Sequence, residues 1–219
     1  MPDPTPALWL VGSDLADDID GQPVIVWPDR SIYQRDVSNW NTATCPTFDT
    51  SVFPDGAVAF SPPSVLDVTS PFAVTNDWAL FVVAYPGMPG IVRGFGVLGS
   101  SLPASRACFG WKPGEVFVGE LAGGESFPIS PDPINAPHLF VTRLVSGQCH
   151  LRVDGVEIGS GVLAANNNFP IGPLTLVQAS HPGTNVLIIA ELQLYDQAIS
   201  DDLFAAVEAA LLAEYGISP

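Results

Sequence analysis

Short runs of β-branched, aromatic and aliphatic residues recur along almost the whole chain, and a turn signal separates most of them from the next. The runs are Leu8–Val11, Val24–Trp27, Ala57–Phe60, Trp78–Tyr85, Val92–Leu98, Arg106–Trp111, Glu115–Gly119, His138–Val145, Cys149–Val153, Leu174–Ala179 and Val186–Tyr195. Between them stand Asp20-Gly21, Asp55-Gly56, Pro86-Gly87, Pro113-Gly114, Gly123-Gly124 and Asp154-Gly155. About eleven short strands at this spacing predict an all-β sandwich or barrel and argue against a βαβ fold. The sharpest local prediction is a hairpin, Cys149–Val153 and Val156–Ile158 around Asp154-Gly155, because Asp-Gly supplies the positive φ that a type I′ turn demands.

One segment alone has helical period. Ser200 caps it, Asp201 and Asp202 complement the positive end of its dipole, and Gly216 stops it. Leu203, Phe204, Val207, Ala210, Leu211 and Tyr215 then form an apolar face, predicting a helix over about 200–215 that covers a sheet edge or an open end of the sandwich. With 219 residues and 47% hydrophobic composition the chain has enough apolar surface for one β-sandwich core over residues 1–219.

Charge narrows the function classes. The 23 acidic and 7 basic residues give a net charge of −16, and Lys112 is the sole lysine. Coulomb repulsion and the shortage of cations exclude phosphate-backbone binding and disfavour an anionic membrane. The opening MPDPTPALWL lacks the basic and long apolar segments of a secretory signal, and no apolar run reaches the roughly 20 residues of a membrane span. Cys45, Cys108 and Cys149, spaced 63 and 41 residues apart, have no metal-binding spacing and read as buried free thiols.

Several segments resemble a known family. Leu8-Trp9-Leu10 with Asp14, Asp20-Gly21, Val24 and Trp27-Pro28-Asp29-Arg30-Ser31 is similar to the opening of laminin-G-like, concanavalin A-like jelly rolls. Cys45-Pro46-Thr47-Phe48 and Val58-Ala59-Phe60 match the segment that follows that opening, and Leu151–Val156 matches a later hairpin. Ile189–Ser200 and the ending Ala213–Ile217 resemble the family's closing strand and helix. The resemblance implies an antiparallel jelly-roll β-sandwich with one C-terminal amphipathic helix. It leaves function open, since this superfold carries lectins, glycanases, adhesion modules and virion proteins.

Catalysis finds little footing in these residues. Glycanases of this fold set carboxylates at alternate positions of one strand, and the nearest counterpart, Glu191 to Asp196, has Gln193 at the middle position. Glu191 is therefore expected to accept hydrogen bonds from the helix or a loop, and Glu115 and Glu120 to face solvent. Cys149 and His150 are neighbours on a strand and so point to opposite faces, while His138, His150 and His181 lack metal-binding spacing.

Binding residues are easier to nominate. Asp14, Asp18 and Asp20, with Asp17, crowd one loop and are candidate Ca²⁺ ligands, though Asp18 and Asp20 equally suit the turn at Gly21. Trp40, flanked by Asn39 and Asn41 where no core pattern asks for an aromatic, is a candidate sugar platform or interface anchor. Asn167 and Asn168, beside Phe169, have the same character, whereas Trp9, Trp27 and Trp78 sit in strand patterns and read as core. Together with the resemblance and the missing leader, the acidity predicts a non-enzymatic virion structural protein, a bacteriophage capsid decoration or head or tail accessory protein, made without a signal in a host cytoplasm, partnered by capsid or other virion proteins and compatible with a homo-oligomer. A carbohydrate-binding module for cell-surface glycans, with or without Ca²⁺, is the alternative, and a glycan hydrolase a weaker third.

Overall fold

The computed structural model describes residues 4–61, 63–68, 77–87, 95–100, 107–112, 115–118, 125–128, 136–162, 174–179 and 186–219, with the backbone alone for 95–100, 107–112, 115–118, 125–128 and 174–179. These residues form sixteen strands, a 3₁₀ turn at Gly12–Leu15 and one α-helix, α1, at Asp201–Glu214.

Two antiparallel sheets face each other. The first runs β14 (Val156–Val162), β13 (Gln148–Val153), β12 (His138–Val145), β7 (Trp78–Gly87), β16 (Val186–Tyr195), β5 (Ala57–Phe60) and β4 (Thr47–Asp49), with β1 (Leu8–Val11) paired to the later half of β16. The second runs β11 (Glu125–Pro128), β10 (Glu115–Val118), β9 (Ala107–Lys112), β8 (Phe95–Ser100), β15 (Leu174–Ala179), β6 (Leu66–Val68), β3 (Val37–Ser38) and β2 (Val26–Trp27). The chain is thus an all-β sandwich of antiparallel sheets with a C-terminal helix, as the alternating runs predict.

Strand alternation sorts the side chains of the first sheet into two cores. Leu80, Val82, Phe140, Leu151, Leu187 and Leu194 face the second sheet, where they meet Trp27, Val37 and Leu66. Ala79, Phe81, Val83, Leu139 and Val141 point the other way and are covered by Leu203, Phe204, Val207, Leu211 and Leu212 of α1. A strand buried on both faces has no use for polar alternation, which is why Trp78–Val83 reads as a continuous apolar run.

The helix therefore packs on the outer face of the first sheet rather than on an edge or an open end. Its buried side differs from the sequence expectation at Ala210, which is exposed, and at Glu208, which is buried with Arg152 Nε 2.8 Å from its Oε1. Ser200 does cap it, accepting from Leu203 N at 3.2 Å. Among the described residues no helix is long and apolar enough to cross a membrane.

Other departures have local causes. Pro86-Gly87 closes β7 instead of making a turn, because β12 pairs with β7 only as far as Ala84 and leaves no ladder bond for Pro86 to forfeit on that side. The strands β3, β4 and β6 are two or three residues long, too short to show a period. Trp27 and Trp78 are 0% and 2% exposed, but Trp9 lies half-buried on the outer face of β1. Asp154 and Gly155 take φ of 51° and 78°, giving the expected hairpin turn between β13 and β14.

Candidate functional site

Two loops beside the short strands of the second sheet are built to hold their shape. Between β2 and β3, the buried Asp29 carboxyl accepts from Trp9 N at 2.8 Å, Ser31 N at 2.8 Å, Ser31 Oγ at 2.6 Å and Arg35 N at 2.7 Å. This fixes the Trp27–Ser31 motif and presents Ile32 and Tyr33 to solvent.

In the loop between β3 and β4, the Asn39 amide donates to Thr44 O at 3.1 Å, Thr44 Oγ1 at 2.9 Å and Val65 O at 3.1 Å. Its oxygen accepts from Asn41 N at 2.8 Å, and Asn41 Oδ1 accepts from Ala43 N at 3.2 Å. The Cys45 thiol, pushed above the ordinary thiol range by burial, closes the loop onto Asn39 O. Trp40 stands on this frame with 79% of its surface exposed. Asn39 is thus a scaffold for the platform, Asn41 is exposed beside it, and Asn167 and Asn168 lie outside the described residues.

The acidic loop does not gather into a cation cage. Asp14 grips Arg30 with both oxygens at 2.6 Å, a contact that raises the arginine's pKa, and Asp20 accepts from Thr50 N at 3.0 Å. Asp18 and Asp20, but not Asp14, line a cleft of about 630 Å³ with Asp55, Glu214 and an apolar floor of Phe48, Phe53 and Tyr215. Among the described residues no three His, Cys, Asp or Glu side chains come together in a metal-binding group. The floor depends on a close backbone contact: a Cβ on Gly12 would lie 2.2 Å from Gly56 O.

Under the end of α1 lies a polar network that alternation alone would not produce. At Ala190 the β16 register slips by one against β7, so Ile189 faces the interior while Glu191 and Gln193 turn to the helix side. Glu191 is 3% exposed; its Oε1 accepts from Trp9 Nε1 and Gln193 Nε2, both at 2.7 Å, and its Oε2 from Tyr215 Oη at 2.9 Å. These bonds are of the structural kind expected of it, and they sequester the carboxyl that stands nearest to a glycanase position.

Burial, and secondarily Glu191, pushes the Tyr215 hydroxyl well above the ordinary tyrosine range, and the same two causes raise Tyr195. A pKa raised by folding means stability that is complete below the unfolded value of about 10 and falls as pH climbs past it. In an alkaline titration these two phenols are expected to ionise only as the fold is lost. Ionisation in a step near pH 10, with near-ultraviolet dichroism intact, would contradict the network.

On the outer face of β12 and β13, beside the start of α1, Arg143, Val145, His150, Arg152, Glu157, Asp201 and Phe204 line a second cavity of about 460 Å³. Sequence reasoning does not bring these residues together. Their alternation on adjacent strands was the available signal, but it becomes a site only once the register sets Arg143 opposite His150 and Arg152 opposite Glu157.

No family model matches the chain, and no curated protein matches it. Solved structures do. The binding domain of botulinum neurotoxin DC in complex with rat synaptotagmin II is similar with a TM-score of 0.68 at 12% identity, over 94% of this chain and 52% of that one. The same domain in complex with SialylT matches with a TM-score of 0.67 at 12% identity, over 94% and 51%. The binding domain of Paraclostridial Mosquitocidal Protein 1 matches with a TM-score of 0.66 at 10% identity, over 90% and 53%. The chain spans about half the length of these structures, and at such identity the likeness is one of fold.

Proposed function

We propose that this chain is a non-catalytic recognition domain that binds glycan through the loop between β3 and β4. The observation that carries the reading is Trp40, an indole 79% exposed on a loop that Asn39 holds in one shape. An aromatic ring fixed before binding offers a flat face to the C–H surface of a sugar at little entropic cost. The exposed amide of Asn41 stands beside it for a hydroxyl. The sequestration of Glu191 and the likeness to toxin binding domains, one of them solved both with SialylT and with rat synaptotagmin II, support recognition over turnover.

The same platform suits a protein partner, and a virion-surface role with capsid proteins as partners is the second outcome the test must separate. Trp40→Ala is expected to leave the melting temperature within about 1–2 °C, since an exposed side chain contributes little to the core. It should weaken glycan binding about tenfold or more on an array probed with and without Ca²⁺. An array silent for the unaltered chain, with co-sedimentation on a capsid-sized particle, would replace glycan by a virion partner. Glycan binding undiminished in the variant would move the site elsewhere.

A further inference from the structure

We infer that the cavity between β12, β13, β14 and the start of α1 binds a carboxylate-bearing sugar unit. The chain has 7 basic residues against 23 acidic, yet two arginines and a histidine line this one cavity. Arg143 and His150 are direct cross-strand partners on the same face, so the register sets two nitrogen donors side by side at the cavity.

Arg152 is committed to Glu208, with Nε 2.8 Å and Nη2 3.1 Å from its two oxygens, and holds the helix on the sheet. Arg143 is less occupied. Its Nη1 donates to Asp201 at 2.6 Å and its Nη2 to Ile199 O at 2.7 Å, while its Nε, buried from solvent, has no acceptor among the described residues. The Asp201 side chain is 90% exposed, so that ion pair is weakly held and open to exchange for a carboxylate from solution. His150 is 43% exposed and stands 3.5 Å from Glu157, leaving its ring available to a ligand.

The mixture of groups selects the ligand class. A bare sulfate or phosphate would meet repulsion from Asp201 and Glu157. A sugar acid has one negative group for Arg143 and His150 and several hydroxyls that donate to those two carboxylates. The Phe204 ring, with the Arg143 guanidinium 5.1 Å from its centroid, and Val145 give an apolar wall for the sugar's C–H face. The volume of about 460 Å³ holds one such ring.

This inference rests on the reading of the chain as a glycan-recognition domain and adds a second, charge-reading subsite to it. The test is a nuclear magnetic resonance titration of the whole chain with sodium glucuronate and sodium N-acetylneuraminate, with glucose and sodium sulfate as comparisons. A saturable shift of the His150 ring signals and of the β12 and β13 backbone amides, which every variant retains, is expected with at least one sugar acid and with neither comparison. His150→Ala and Arg143→Gln should weaken that binding about tenfold, and Asp202→Asn, an equal-sized charge change outside the cavity, should not. Because His150 is the more exposed of the two, its variant keeps the test decisive if Arg143→Gln disturbs the helix. An equal response to sulfate, no saturable response to either acid, or undiminished binding by His150→Ala overturns the inference. Silence to both acids with neutral glycans still bound overturns this subsite alone; silence to every glycan overturns the recognition reading as well.

Discussion

Asp29→Ala is expected to lower the melting temperature by about 10 °C, from a loss of about 3–4 kcal/mol. The side chain is 7% exposed and accepts four hydrogen bonds, three of them from the backbone N–H groups of Trp9, Ser31 and Arg35. Alanine leaves those three donors without an acceptor, at about 1–3 kcal/mol each before water relieves the outermost. The damage is not confined to the loop, because the bond to Trp9 N ties it to β1, which in turn pairs with the central strand β16. Asp29→Asn keeps one acceptor oxygen and turns an N–H₂ toward donors, so that variant should cost about half as much. Thermal unfolding of the two variants beside the unaltered chain checks this. A shift under about 3 °C for the alanine variant would mean that water replaces the carboxyl and that Asp29 does not anchor the loop.

Asp29 also shows how far the sequence alone reaches. The Trp27–Ser31 motif marked the opening of the fold by resemblance, but which bonds Asp29 makes follows from loop closure over distant residues that no local pattern encodes. Long strands such as β7, β12 and β16 were visible because many side chains in each share one requirement, burial. The strands β3, β4 and β6 were not, since two or three residues held by their neighbours' hydrogen bonds carry no period of their own. Trp40 was legible for the opposite reason: an aromatic among Ser38, Asn39 and Asn41 breaks every burial pattern, and it stands exposed. In the acidic loop, proximity in sequence does not amount to proximity of oxygens. Asp14 turns to Arg30 and Asp20 to Thr50. The cavity on β12 and β13 was hidden because register, not composition, decides which side chains become neighbours.

Glu191→Ala should be as damaging as the loss of Asp29, at about 3–5 kcal/mol. It strips the acceptor from the Trp9 indole, the Gln193 amide and the Tyr215 hydroxyl together, and it opens a void under the end of α1. Tyr215→Phe removes one of the three bonds and keeps the ring that meets Phe53 edge-on at 5.9 Å, so about 1 kcal/mol is expected. If the network acts as a unit, the double variant falls short of the sum of the two by about 1 kcal/mol or more. Hydrogen exchange adds a spatial test: in Glu191→Ala the amides of α1 should lose protection before those of β7, because the network fastens the last turn to the sheet. Additive losses with uniform protection would reduce Glu191 to an ordinary buried acid. Turnover of a polysaccharide by the unaltered chain, abolished in Glu191→Gln with the fold intact, would overturn the structural assignment. The bulge at Ala190 would then serve to aim a catalytic carboxyl, whereas the present geometry has it aim an anchor shared by the first strand, the last strand and the tail of the helix.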